Sequence, residues 1–364
     1  MTGPGRVLVA GTGLIGTSVA LALRARGTEV WLCDADPATA RLAADLGAGT
    51  VLPDLRDAKG VADIAVLAMP PAVVGSELAR VQECAVAEVY TDVASVKLLP
   101  ARQARELGCD LETYVPGHPL AGRERQGPAA ARADLFLGRT WALCPLPETA
   151  PEAVKAATAL AAACGANPVV TDPVTHDRWV ALVSHAPHLV AVAMAARLAP
   201  SGVPADALAL AGQGLRDVTR IAAGDSALWT QILSANAGPV AEVVAAVAAD
   251  LAAAARLLAD AAEPAGAGEI TALLDQGRAG AGRIPGKHGG RPRNFAVVQV
   301  VIADRPGELA RLFHAAGAAG VNIEDVRLEH SPGLPVGVAE LAVRPDQAGP
   351  LLDAMEAGGW PVRR

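Results

Sequence analysis

The sequence predicts an α/β protein in three parts: a doubly wound parallel sheet, an all-helical domain, and a small βαββαβ sandwich. Three observations predict this. Short apolar runs alternate with helical periodicity through residues 1–172, strand signals then vanish through 173–276, and a β pattern restarts at 294 after a basic, glycine-rich stretch at 277–293. The chain has 364 residues, 52% hydrophobic and 19% charged, which is room for two or three packed domains. A net charge of −7 gives no basic footprint, so nucleic acid is not an expected partner. Cys33, Cys84, Cys109, Cys144 and Cys164 form no C-x-x-C pair, and no long apolar run precedes the first strand; the expected location is the cytoplasm. The most apolar later stretch, 239–262, carries Glu242, Asp250 and Arg256 and reads as a packed helix, so no membrane partner is expected.

The first strand, 6–10, runs into Gly11, Gly13 and Gly16 on a G-x-G-x-x-G spacing that opens a helix. Gly11 permits the tight turn, Gly13 lets a pyrophosphate approach the backbone, and Gly16 lets helix and strand pack closely. Leu14 and Ile15 begin the helix whose N-terminus faces the phosphates. A second strand, 29–33, ends in Asp34, 18 residues after Gly16, where a carboxylate can hold an adenosine ribose and repel a 2′-phosphate. The expected cofactor is NAD.

Pro37 opens a helix to about Leu46, 62–69 is a buried strand followed by Pro70 and Pro71, and 88–94 is a strand running into Ser95. A strand from 114 breaks into a loop that holds His118 between Pro116 and Pro119, flanked by Gly117 and Gly122. Such crowding suggests a rigidly posed imidazole. Residues 140–144 and 168–171 are expected to finish the sheet. Helices follow at 173–198, 205–222, 225–237 and 239–262, apolar on more than one face, so a homodimer is expected. Residues 277–293 read as a linker. Beyond it come a strand at 296–303, a turn at 304–307, a helix at 308–319, a hairpin of 322–331 and 336–343, a helix at 347–357 and a strand at 360–362. That order is ferredoxin-like.

Together these motifs resemble the prephenate/arogenate dehydrogenase family of tyrosine biosynthesis, with a C-terminal ACT domain. The resemblance rests on G-T-G-L-I-G-T-S at 11–18, D-V-A-S-V-K at 92–97, G-H-P-L-A-G at 117–122, H-D-R-W at 176–179, S-H-A-P-H at 184–188 and D-V-T-R-I-A-x-x-D-x-x-L-W at 217–229. It implies oxidation of C4 of a cyclohexadienol ring, hydride transfer to a nicotinamide and loss of the ring carboxylate as carbon dioxide. By that match His118 accepts the hydroxyl proton, a role suited to an imidazole near its working pKa. Ser95 is placed near the same hydroxyl, although its position equally suits an N-cap of the next helix. Arg220 matches the arginine that binds the ring carboxylate, for which a planar guanidinium is suited, and Arg216 lies one turn earlier. His188 matches a substrate contact, His185 lies three residues before it, and Trp229 is expected on the pocket floor. Pro187 should interrupt their helix. His176, Asp177, His185 and His188 lack a metal-site spacing, and no metal is expected. Whether the substrate is prephenate or arogenate stays open at this point. Asp304, Gly307 and Asn322 match the ACT ligand loop, for which the implied effector is tyrosine. Two rivals are a β-hydroxyacid or imine reductase, which usually relies on a lysine, and a non-catalytic amino-acid sensor. The four lysines are Lys59, Lys97, Lys155 and Lys287, none within 173–276.

Overall fold

The computed structural model describes residues 3–122, 126–199, 203–259, 264–284, 295–330 and 335–363. Contacts divide the chain into two compact units, Met1–Ala249 and Asp250–Arg364.

In the first unit, β1 (Arg6–Ala10), α1 (Leu14–Arg24), β2 (Glu29–Cys33), α2 (Pro37–Asp45), β3 (Thr50–Val51), β4 (Ala62–Leu67), α3 (Pro71–Glu83), β5 (Ala87–Asp92), α4 (Leu98–Glu106) and β6 (Tyr114–Val115) alternate along the chain. The strands are parallel, in the order β3-β2-β1-β4-β5-β6. Progression reverses between β1 and β4, the point where such sheets bind ligands beyond the strands' carboxyl ends. Helices cover both faces, which is why β1 is apolar at successive positions. Val7 and Val9 pack with Val19, Leu23 and Leu160, whereas Leu8 and Ala10 pack with Val74, Leu78 and Ala104.

One sequence expectation is corrected here. Residues 140–144 and 168–171 do not finish the main sheet. They form a second, three-stranded sheet in which β8 (Thr140–Leu143) lies between antiparallel β7 (Gly117–Pro119) and parallel β9 (Asn167–Val170); α5 (Pro151–Ala163) connects β8 to β9. The main sheet stops at the short β6, and His118 becomes the central residue of an edge strand.

The expected helix at 173–198 is three pieces: α6 (Pro173–Val180), a π-helical turn (Ala181–His185) and α7 (Ala186–Ala196). The Ala186 N–H bonds the Ala181 carbonyl five residues back, and Pro187 sits in the first turn of α7, where its missing N–H costs little. By length and mean hydropathy Pro173–Ala196 could cross a membrane, yet its buried side carries His176, Asp177, His185 and His188. The expected helix at 205–222 is also divided, into α8 (Ala205–Ala209), α9 (Gln213–Thr219) and a 3₁₀ turn (Arg220–Ala223), with Gly212 restarting the chain. Asp225 caps α10 (Ser226–Ala235) by accepting from Leu228 N at 2.8 Å, and α11 (Ala237–Ala259) follows.

In the second unit α12 (Pro264–Ala281) continues through 277–281, so the start of the expected linker is helical; 285–294 lies outside the described residues. Then come β10 (Ala296–Ala303), α13 (Glu308–Ala318), β11 (Ile323–His330), β12 (Val336–Val343), α14 (Ala348–Ala357) and β13 (Val362–Arg363). The strands form an antiparallel sheet ordered β11-β12-β10-β13. Its core holds Val300, Leu312, Leu341, Leu351 and Met355.

Candidate active site

The β1–α1 turn is shaped to exclude side chains. Gly11 has φ +93°, and a Cβ there would lie 2.3 Å from the Ala68 carbonyl oxygen; a Cβ on Gly16 would lie 1.9 Å from the Gly11 carbonyl oxygen. Nothing lies within 4 Å of where a Gly13 Cβ would stand, so the backbone there is open to a ligand. No side chain caps the first turn formed by Leu14 and Ile15. Asp34 faces this turn: one carboxylate oxygen accepts from Thr12 N at 2.6 Å and Thr12 Oγ1 at 2.9 Å, the other from Asp36 N at 2.9 Å. A cavity of about 1030 Å³ runs along the carboxyl ends of β1, β2 and β4, lined among others by Gly11, Gly13, Asp34 and Met69. A bare helix N-terminus, an approachable glycine backbone and a fixed carboxylate fit a dinucleotide.

Beyond the end of β5 lies a buried polar cluster. Lys97 and Asp92 are fully buried and paired, and Lys97 Nζ also donates to the Gly117 carbonyl. The other Asp92 oxygen accepts from Tyr114 Oη at 2.6 Å and Gly117 N at 3.3 Å. The residue before His118 is therefore held at both its N–H and its carbonyl. His118 Nδ1 lies 3.0 Å from His176 Nε2, and His176 Nδ1 lies 2.8 Å from Asp177 Oδ1. The Asp177 carboxylate also accepts from Lys97 N at 2.8 Å and Leu98 N at 2.9 Å, capping α4 from a different helix. This corrects the N-cap alternative for Ser95: the cap residue is Lys97, and Ser95 lies half-buried in the turn between β5 and α4. Burial, with the nearby His176, Lys97 and His185, pushes the His118 pKa well below the usual imidazole value, so the ring is neutral and able to accept a proton.

A second group adjoins the first through Asn236. Its Nδ2 donates to the Asp177 carbonyl at 2.8 Å and lies 3.1 Å from His185 Nδ1. His185 meets Trp229 edge-on, and His188 stacks on the same indole at 3.5 Å between centroids. Burial lowers both histidines, His185 to about 4. The π turn brings both rings to the buried side: the added residue per turn rotates His185 toward the face that His188 occupies. Gly224 packs against Trp229 and His188, so the turn Arg220–Ala223 ends beside the stack. Arg220 and Arg216 are exposed and form no ion pair among the described residues. Asp217 instead accepts from Gln213 Nε2 at 2.9 Å, and Asp225 is spent on its cap.

Residues 19–170 match the prephenate dehydrogenase nucleotide-binding domain, and residues 172–274 match the prephenate dehydrogenase dimerization domain. The "Probable prephenate dehydrogenase NovF" of Streptomyces niveus is 40% identical over 98% of both chains. The chain belongs to the prephenate dehydrogenase family. Among solved structures, prephenate dehydrogenase from Aquifex aeolicus, in complex with hydroxyphenyl propionate and NAD⁺, superposes with a TM-score of 0.66 at 26% identity, covering 76% of this chain and 97% of that one. Synechocystis arogenate dehydrogenase gives 0.64 at 27%, covering 76% and 98%. As a member of this family the chain is an NAD-dependent oxidoreductase, and the β1–α1 turn with Asp34 is where NAD fits.

In the sequence His176 and Asp177 stand out only through the H-D-R-W resemblance and the rejected metal set, and nothing there shows what they, Lys97 and Asn236 hold. Periodicity cannot show that a carboxylate on one helix caps another. The residues read as regulatory fall at two ends of the second unit's sheet. Gly307 has φ +87° at the start of α13, and Asp304 lies in the same turn, at the end where Ala303 pairs with Val336. Asn322 precedes β11 at the opposite end, where Ile323 pairs with Val343. Val336 and Val343 are seven strand steps apart, so Asp304 and Asn322, each one residue further out, lie more than about 20 Å apart within one chain. Asn322 Nδ2 donates to Glu324 Oε1 at 2.9 Å. A site using both residues needs two copies of the sheet.

Proposed function

We propose that the chain oxidises prephenate with NAD to 4-hydroxyphenylpyruvate and carbon dioxide, as a step of tyrosine synthesis. The observation that carries this reading is the placing of His118, gripped through Gly117 and His176, beside a histidine–tryptophan stack that adjoins the Arg220 turn. His118 takes the proton of the C4 hydroxyl. NAD supplies the hydride acceptor. Arg220 holds the ring carboxylate, with Arg216 nearby, and Ser95 adds a hydroxyl at the reacting carbon. When the carboxylate leaves as carbon dioxide, its bonding pair enters the ring, and the proton on His118 returns to the phenolate oxygen. His188, His185 and Trp229 form the apolar and polar walls that orient the ring. NADH formation with prephenate and then arogenate tests this; no reaction with either would overturn it, and reaction with arogenate alone would reassign the substrate.

The same reading extends to assembly and control. Trp179, Leu182 and Val183 are exposed on the α6–α7 segment, which supports pairing of two chains through the helical region; sedentation of the protein as a monomer by ultracentrifugation would refute it. The βαββαβ order of residues 295–363 and the turn at Asp304–Gly307 support an ACT-type regulatory domain with tyrosine as effector. The five free cysteines support a cytoplasmic location, which cell fractionation tests.

A further inference from the structure

The row Asp177–His176–His118, buried at its first two members and half-buried at His118, has a direction. Both Asp177 oxygens accept from backbone N–H groups of Lys97 and Leu98, which can only donate. The shared oxygen, 2.8 Å from His176 Nδ1, must therefore accept from that nitrogen as well. With its proton on Nδ1, the singly protonated form of His176 offers a lone pair at Nε2, 3.0 Å from His118 Nδ1. His118 then donates from Nδ1, and its own lone pair lies on Nε2. The opposite order would set the His176 Nδ1 lone pair against the carboxylate in a site where neither residue reaches water, His176 being 2% exposed and Asp177 0%.

We propose that His176 and Asp177 are positioning residues that fix His118 as an Nε2 base. The argument rests on His118 serving as the base of the proposed dienol oxidation, and it adds what makes that nitrogen available. On accepting the hydroxyl proton at Nε2, His118 becomes a cation that still donates from Nδ1. Its hydrogen bond to His176 becomes charge-assisted, while Asp177 keeps the His176 dipole aimed at the new charge. No proton moves along the row. The other titratable groups facing His118 are Lys97, paired with Asp92, and His185, held by Asn236.

The test uses the full chain labelled with ¹⁵N-histidine, with the His118 signal assigned by its loss in His118→Asn. At neutral pH the ring shifts should report a protonated Nδ1 and a bare Nε2. In His176→Phe, which fills the space without accepting a hydrogen bond, the two tautomers should mix. Its kcat should fall about 100-fold with KM and NAD affinity nearly unchanged. A bare Nδ1 in the unsubstituted protein overturns the proposal, as does a His176→Phe enzyme with full kcat. The ring shifts decide the matter even if that variant fails to fold. A chain inert toward both dienols would sink the functional reading, while the shifts still report the order of the row.

Discussion

The imidazole of His188 lies flat on the indole of Trp229, 3.5 Å between centroids and 7° between planes, and a side chain at Gly224 would strike both rings. The stack joins a residue of α7 to one of α10. Replacing Trp229 by Ala should raise KM for the dienol at least tenfold, the scale of about 1.4 kcal/mol that such an aromatic pair contributes, and leave NAD affinity alone. Steady-state kinetics with each substrate varied in turn checks this; an unchanged dienol KM removes Trp229 from the pocket.

His118→Asn should cut kcat by two to four orders of magnitude while NAD still binds, because an amide cannot take the hydroxyl proton. Burial lowers the His118 pKa, so the protonated, inactive form accumulates only at low pH. The acid limb of kcat/KM for the dienol should accordingly fall below pH 6.5, the ordinary imidazole value. An acid limb above that value would contradict the burial seen here.

His185 makes a prediction about stability. Its folded pKa of about 4 lies below the ordinary 6.5, so on acidification the unfolded chain takes up the proton first. The contribution is fully present above pH 6.5 and is lost as pH falls toward about 4. Melting temperature should drop across that window, and less steeply in His185→Gln, whose amide oxygen can still accept from Asn236. Parallel melting curves for the two proteins would show that His185 is not the group responsible.

Arg220→Gln should raise KM for the dienol far more than for NAD, whereas Arg216→Gln, one turn earlier on α9, should have the smaller effect. Equal effects, or none, would place the carboxylate elsewhere.

Tyrosine should inhibit the intact chain, and a chain ending before Phe295 should escape it. Inhibition of equal strength in the shortened protein would move the effector site out of residues 295–363.

What was legible in the sequence was local. The glycine turn with Asp34 follows from spacing within one βαβ unit. What was not legible depends on partners far along the chain. Gly117–Pro119 pairs antiparallel with Thr140–Leu143, and nothing in its composition distinguishes that from an extension of the main sheet. The π turn at Ala181–His185 has no signature in apolar periodicity, yet it sets which way His185 faces. Asp177 gives no sign in the sequence that its carboxylate caps Leu98.

The fully enclosed pair of Lys97 and Asp92 beneath Gly117 has a consequence for heredity. Loss of either partner strands a charge away from water, a penalty of about 3–5 kcal/mol and a large share of a domain's total stability. Neutral drift at one position is thus blocked while the other stands. Descendants of this chain can exchange the couple only by altering both in concert.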